Sequence, residues 1–323
     1  MVKGVKKYLI TGFSGFVSEY FVEYLNRTQG KVNILGIDIA EPHFGFEHSY
    51  NSGIKFSKVD LLDKNKVRRI ILRFQPDFIL HLASFSSVAF SWRKPVFSFN
   101  NNTNIFLNLL EAVREAGIKC RLLSVGSSEE YGIVKDKDLP LSESTQLNPI
   151  SPYAVARVSQ ELLSKIYVDG YGLNIVMTRS FNHIGPRQEE VFVVSSFAKQ
   201  MVEIKEKNRN KGVLRVGNLK IVRDFLDVRD VVKAYYLLLQ RGKIGEIYNV
   251  CGGRGIALRE VINYIADYLK IKVELKVDQS LIRPNDNPVI IGNNKKIKKE
   301  LGWRPEIPLK KSIADICNYW LSR

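Results

Sequence analysis

Over its first 180 residues the chain alternates short β-rich apolar runs with longer stretches whose apolar positions recur every three or four residues. The runs Lys7–Thr11, Val32–Asp38, Ile54–Asp60, Phe78–Leu82, Cys120–Val125 and Asn174–Arg179 read as strands. Phe16–Arg27, Lys64–Phe74, Thr103–Ala116 and Pro152–Tyr171 read as helices. In the third of these Ile105, Leu109, Ala112 and Val113 recur close to helical spacing. Such alternation predicts an α/β fold, a parallel sheet with helices on both faces. After Phe181 the pattern loosens. Helices are predicted near Ser195–Lys207, at Val228–Gln240 and at Leu258–Leu269, and strands at Val213–Val216 and Glu246–Cys251. Pro284, Pro288, Pro305 and Pro308 punctuate the remainder. The expected organisation is a first lobe of residues 1–180 joined by about 222–256, and a smaller C-terminal α/β lobe of about 181–221 and 257–323.

With 323 residues, 45% of them hydrophobic, the chain is long enough for a full core and two lobes. No apolar stretch approaches the roughly 20 residues that span a bilayer, so no membrane partner is expected. Met1–Lys7 leads straight into a strand, and no signal peptide is expected. The three cysteines, Cys120, Cys251 and Cys317, are far apart and not spaced as metal ligands. They predict reduced thiols, no metal site and a cytoplasmic setting. The formal net charge of +16 alters this picture little. Lys and Arg are interspersed with acids, as in Glu203-Ile204-Lys205-Glu206-Lys207, and the densest run, Lys295–Glu300, reads as one solvated helix face. No recognition helix, zinc spacing or aromatic–basic alternation accompanies it, so no nucleic-acid partner is expected. A basic cleft for a phosphorylated ligand accounts better for the charge.

Candidate chemistry begins at Thr11-Gly12-Phe13-Ser14-Gly15-Phe16-Val17-Ser18, a strand end, a glycine turn and a helix start. Gly12 permits the tight turn, and Gly15 lets a pyrophosphate approach the helix N-terminus. The third position, where glycine usually allows close helix–strand packing, is Ser18. Asp38 ends the second strand about twenty residues later, where a carboxylate can accept hydrogen bonds from an adenosine ribose and would repel a 2′-phosphate. NAD is therefore expected over NADP. A surface aspartate at a strand end is the competing reading. Asp60-Leu61 closes the third strand, where it would meet adenine, and Leu82-Ala83-Ser84 follows the fourth. These features predict a Rossmann-type doubly wound sheet carrying a dinucleotide.

A second constellation lies at Gly126-Ser127-Ser128-Glu129-Glu130-Tyr131-Gly132 and Ser151-Pro152-Tyr153-Ala154-Val155-Ala156-Arg157. Ser127 and Glu129 follow the fifth strand, at the sheet's carboxyl end, where ligands sit. Tyr153 opens a helix, and Arg157 falls one turn later on the same face. A phenol near pKa 10 is a poor base at neutral pH, but a neighbouring cation favours the phenolate. A hydroxyl, a phenol and a cation are the parts of a proton-transfer site that works beside a hydride carrier. A helix-surface Tyr–Arg pair is the competing reading.

With these motifs the chain resembles the extended short-chain dehydrogenase/reductases, and within them the GDP-mannose 4,6-dehydratases and GDP-4-keto-6-deoxymannose reductases. Phe181-Asn182-His183, Gly185-Pro186-Arg187, Gly217-Asn218-Leu219, Val222-Arg223-Asp224-Phe225, Arg283-Pro284 and Leu301-Gly302-Trp303 extend the resemblance over nearly the whole chain. It implies a triad of Ser127, Tyr153 and the cation at 157, with Glu129 as the C5 base of a dehydratase. It implies cofactor contacts from Phe13, Phe16, Val17, Ile39, Phe181 and His183 beside the residues above. Asn182, Arg187, Arg223 and Arg283 would hold the nucleotide diphosphate and sugar, joined by Ser86, Ser87, Lys199, Asn218 and Asp286. Guanidinium forks suit two phosphates, although a surface ion pair is the competing reading for each arginine.

Two features depart from the family: Arg157 stands where it has lysine, and Asp38 opposes the NADP preference of the dehydratases. The expected function is NAD(H)-dependent redox chemistry at C4 of a GDP-linked mannose-type sugar, as a 4-keto reductase or C4 dehydrogenase in nucleotide-sugar biosynthesis for surface polysaccharide. A GDP-sugar 4,6-dehydratase and a catalytically weakened NAD-binding sensor or scaffold are the alternatives. The resemblance also implies a homodimer or homotetramer built on Thr103–Ala116 and Pro152–Tyr171.

Overall fold

Alternation along the first strand, β1 (Lys6–Thr11), sets up the layers, with Tyr8 and Ile10 buried on one side and Leu9 on the other. In chain order there follow α1 (Phe16–Thr28), β2 (Val32–Asp38), β3 (Gly53–Lys58), α2 (Lys64–Phe74), β4 (Phe78–His81), α3 (Val88–Arg93) and α4 (Pro95–Ala116). Next come β5 (Arg121–Ser127), α5 (Pro152–Tyr171), β6 (Asn174–Ser180), β7 (Asn182–Ile184), α6 (Val193–Glu206), β8 (Lys211–Val216), β9 (Val222–Asp227) and α7 (Val228–Arg241). The chain ends with β10 (Ile247–Val250), β11 (Gly255–Ala257), α8 (Leu258–Leu269), β12 (Lys272–Val277), β13 (Val289–Ile290), α9 (Lys295–Leu301) and α10 (Leu309–Leu321). The computed structural model describes residues 4–43, 53–207, 211–282 and 285–323.

Seven strands form one parallel sheet in the order β10-β6-β5-β4-β1-β2-β3. The winding direction reverses between β1 and β4, and such a switch point opens a crevice at the carboxyl ends of the strands. α1 and α7 bury Phe21, Leu25, Val231 and Leu238 against one face. α2, α4 and α5 bury Ile71, Ile105, Leu109 and Tyr167 against the other. The doubly wound α/β sheet expected from the sequence is present. A smaller sheet forms around β9, which pairs with β7 and β13 in parallel and with β11 antiparallel. A β8–β12 ribbon and helices α6, α8 and α10 pack a separate apolar cluster beside it. β9 thus lies in the smaller sheet, while α7 and β10, which follow it, belong to the large one.

Several boundaries differ from the sequence reading. α4 starts at Pro95 rather than Thr103, because proline suits a first helical turn and the polar run Asn100–Asn104 hides the periodicity. β3 stops at Lys58, leaving Asp60 in the turn beyond it. β5 continues to Ser127, so the hydroxyl ends the strand itself. The lysine run forms α9, burying only Ile297 and Leu301. The three cysteines are buried and unpaired. Among the described residues no helix is long and apolar enough to cross a membrane.

Candidate active site

The glycine turn is fixed by close packing. Gly12 adopts φ +69°, and a Cβ there would lie 2.7 Å from the Ala83 nitrogen, so β1 can pass over the end of β4 only with glycine. Thr11 Oγ1 accepts the Ala83 N–H at 3.2 Å and pairs with His81 Nδ1 at 2.9 Å. His81 is fully buried against Phe106, and burial, assisted by the charge of Arg157, pushes its pKa down to about 3. The ring is neutral and structural. Gly15 stands at the N-cap of α1 with no side-chain cap, so first-turn N–H groups remain for an anion at the switch point.

Asp38 accepts from the N–H groups of Ser14 (3.0 Å), Ile39 (2.7 Å) and Ala40 (3.2 Å), holding the turn and leaving a lone pair on Oδ2. This donor-rich turn with a carboxylate beside it fits the pyrophosphate and ribose of a dinucleotide. Phe13 offers only backbone there, because its ring is buried on Gly36, where a Cβ would lie 2.1 Å from it. Phe16 and Val17 are half-buried, the Phe16 ring stacking on His183. Ser18 is fully buried, so the hydroxymethyl fits the third position. Asp60 is exposed and accepts the Leu62 N–H at 2.8 Å, while the Leu61 side chain enters the core. Leu82, Ala83 and Ser84 line the exit of β4, half-buried, and Ile39 is exposed.

The second constellation assembles at the start of α5. Ser151 caps the helix by accepting the Ala154 N–H at 3.1 Å, and Pro152 occupies the first turn. This sets Tyr153 one turn before Arg157 with both side chains buried, which excludes a helix-surface pair. Arg157 Nε donates to Tyr153 Oη at 3.2 Å. Its Nη1 donates to the Val125 carbonyl at 3.0 Å and to Gln160 Oε1 at 2.6 Å. Val125 lies two residues before Ser127 on β5, so one guanidinium ties the phenol to the strand that ends in the serine. Ser127 Oγ accepts the Glu129 N–H at 3.2 Å, and the Ser127 N–H donates to Glu130 Oε1 at 2.6 Å. Among the described residues the half-buried Glu129 carboxylate has no hydrogen-bond or ion-pair partner.

Beneath these groups lies a charge cluster that sequence reading missed. Arg179 on β6 grips Glu161 of α5 through Nε (2.8 Å) and Nη2 (3.0 Å), and donates through Nη1 to the Glu143 carbonyl at 3.0 Å. Its guanidinium covers the Tyr131 ring at 4.8 Å and stands 4.0 Å from Glu130 Oε2. Burial and the charge of Glu161 push the Glu130 carboxyl up from the usual carboxylate range. Glu161 goes the other way, because the Arg179 bonds overcome its own burial. The signal was available: a charged residue in a strand whose centre, Ile175–Met177, is apolar demands a buried partner.

The expected phosphate grip is not assembled. Arg187, in the left-handed region at φ +72°, donates instead to Glu19 (2.6 Å) and Glu23 (2.8 Å) of α1, over the Tyr20 ring. Arg223 is buried and donates to Asp286 (2.6 Å) and to the Asn287 carbonyl (2.7 Å), so two expected substrate residues bind each other. Lys199 pairs with Glu190, Asn218 accepts its own turn's Lys220 N–H, and Ser87 caps α3. Ser86 and Asn182 are exposed. Phe181 is buried with Tyr131 and Cys251, and His183, half-buried, meets the Phe181 carbonyl through Nδ1 at 3.2 Å. Arg283 lies outside the described residues.

A parallel sheet of this order, a glycine turn at its switch point and a buried Tyr-x-x-x-Arg pair define an extended short-chain dehydrogenase/reductase. Comparison with known proteins narrows the class. A family profile described as GDP-mannose 4,6 dehydratase matches residues 9–316, and the chain belongs to that family. It is similar to the GDP-6-deoxy-D-mannose reductase of Pseudomonas aeruginosa, with 32% identity over 98% of each chain. A solved structure of the protein RMD from Pseudomonas aeruginosa, complexed with NADPH, covers 98% of this chain and 99% of its own, with 31% identity and a TM-score of 0.84. The UDP-glucose 4-epimerase of Thermus thermophilus, solved with NAD, covers 97% and 98%, with 30% identity and a TM-score of 0.82. These neighbours hold nicotinamide cofactors of both kinds.

Proposed function

We propose that the protein catalyses redox chemistry at C4 of a GDP-linked mannose-type sugar, as a 4-keto reductase or C4 dehydrogenase of cytoplasmic nucleotide-sugar biosynthesis. The observation that carries this reading is the 3.2 Å bond from the buried Arg157 Nε to Tyr153 Oη, with the guanidinium anchored to the strand bearing Ser127. A nicotinamide dinucleotide, held at Gly12, Gly15 and Asp38, supplies or accepts the hydride. Ser127 Oγ orients the C4 oxygen, and Tyr153 Oη gives or takes its proton. Arg157 holds the phenol in place and balances negative charge on its oxygen. NAD(H) is the preferred form, supported by Asp38, whose charge disfavours a 2′-phosphate.

The sugar nucleotide is placed over the exposed Asn182, with Arg223 presented from its Asp286 pair. The two lobes expected from the sequence flank it. Assembly as a homodimer or homotetramer is proposed through α4 and α5, whose Phe97, Leu162, Ile166 and Tyr171 are exposed; light scattering tests it.

The 4,6-dehydratase remains the second reading, because Glu129 is a carboxylate with no internal partner among the described residues, as a C5 base requires. Incubation with GDP-4-keto-6-deoxymannose and NADH or NADPH, and separately with GDP-mannose and NAD, decides between them. Stoichiometric cofactor oxidation or reduction supports the main reading. Water loss from GDP-mannose with no net change in cofactor redox state replaces it with the dehydratase. Dinucleotide binding without any turnover would leave a sensor.

A further inference from the structure

Arg157 is a buried cation with no carboxylate in ion-pair contact among the described residues, so its position must be set by other groups. Its Nη1 has two hydrogens and two acceptors, the Val125 carbonyl and Gln160 Oε1. Gln160 is itself pinned. Its Nε2 donates to Ser124 Oγ at 2.8 Å and to the Val125 carbonyl at 3.2 Å. Ser164 Oγ donates to the Gln160 carbonyl at 2.8 Å and lies 3.2 Å from Ser124 Oγ. All four side chains are at most 5% exposed. The amide orientation follows from charge, since reversing it would set an NH2 group against the guanidinium.

We propose that Gln160 is a positioning residue of the redox site: with the Val125 carbonyl it clamps the guanidinium plane so that Nε–H is presented to the Tyr153 oxygen. The clamp is built for arginine. A guanidinium carries Nε and Nη1 donors in one rigid plane, whereas an ammonium offers all its donors from a single point at the end of a flexible stem. Lysine at 157 can satisfy the acceptors around Gln160 or the phenol, but not both in this geometry. Charged and titratable neighbours that share the field are Glu130 after β5, His81 on β4 and Tyr235 on α7, with Arg179 on β6 facing Glu130. This inference rests on the redox reading above for its catalytic meaning, but the clamp itself is testable without turnover.

The test compares wild type with Gln160→Leu, Gln160→Glu, Tyr153→Phe and Arg157→Lys. In the first arm, the Arg157 Nε–H resonance is assigned by its disappearance in Arg157→Lys. It is expected to be protected from solvent exchange in wild type and in Gln160→Glu, which keeps the acceptor. It is expected to lose protection in Gln160→Leu and in Tyr153→Phe. In the second arm, steady-state kinetics of Gln160→Leu are expected to show kcat lowered roughly tenfold or more with sugar KM unchanged. The proton-transfer limb of its pH profile moves to higher pH, and Arg157→Lys falls below wild type. An unprotected Nε–H in wild type, or protection unchanged in Gln160→Leu, overturns the proposal, as does an Arg157→Lys enzyme at least as fast as wild type. If wild type turns over no sugar nucleotide, the redox reading fails while the exchange measurement still decides the clamp.

Discussion

Replacing Arg179 by methionine isolates what the buried charge cluster contributes. The substitution keeps most of the side-chain volume, so packing against Tyr131 largely survives and the electrostatic loss dominates. Arg179 is 3% exposed, and its two bonds to Glu161 are the principal compensation for a carboxylate that is 5% exposed. Breaking a buried pair by removing one partner costs about 3–5 kcal/mol. The lower end applies because Lys165 still reaches Glu161 Oε1 at 3.2 Å. Against a total stability of about 5–15 kcal/mol this is large. At roughly 2 °C per kcal/mol for a chain of this size, Tm falls by about 6 °C.

Urea denaturation of Arg179→Met, Glu161→Leu and the double variant forms a cycle. The double variant is expected to be more stable than Arg179→Met, because it removes the stranded charge. Glu130 adds less to the loss, since burial favours its neutral form. A loss below about 1 kcal/mol in Arg179→Met, or a double variant less stable than that single one, refutes the reasoning.

Three further outcomes follow from the site geometry. Below pH 6.5 the unfolded chain protonates His81 and the folded one does not until about 3, so stability is full above 6.5 and declines as pH falls toward 3. The span is worth about 5 kcal/mol, and an equally steep decline in His81→Gln between pH 6.5 and 4 would rule this source out. Gly12→Ala drives a Cβ to 2.7 Å from the Ala83 nitrogen at φ +69°; calorimetric titration should show dinucleotide affinity down by roughly tenfold or more, with strain of about 1–2 kcal/mol. Gly15→Ala, whose nearest contact would be 3.2 Å, is the control expected to fold normally. Asp38→Ala should raise the NADPH/NADH ratio of kcat/KM by about tenfold, or about 1.4 kcal/mol, and an unchanged ratio would remove Asp38 from cofactor choice.

Much of the fold was legible because local rules suffice for it. Apolar runs of strand length, helical periodicity and the glycine motif specify a parallel sheet with a tight turn after its first strand. Tyr153 and Arg157 share a face because the helix period puts them there. The ion-pair partners were not legible in the same way. Arg187 and Arg223 carry the right chemistry for a phosphate, but their partners, Glu19 and Asp286, lie 168 and 63 residues away. Only packing reveals such distances.

The same division runs through the Tyr153–Arg157 pair. Neighbours along the chain dictated the class of fold, the glycine turn, the capped start of α5 and the presence of a phenol and a cation one turn apart. Where the cation's donors go was decided by packing. Burying a guanidinium drives its donors toward acceptors, and Nε and Nη1 of Arg157 find them in Tyr153 Oη and Gln160 Oε1 of α5 itself and in the Val125 carbonyl of β5. Gln160 lies within a turn of Arg157 on α5, but the Val125 carbonyl, and the Ser124 hydroxyl that pins Gln160, join them only when the sheet and helix close on each other.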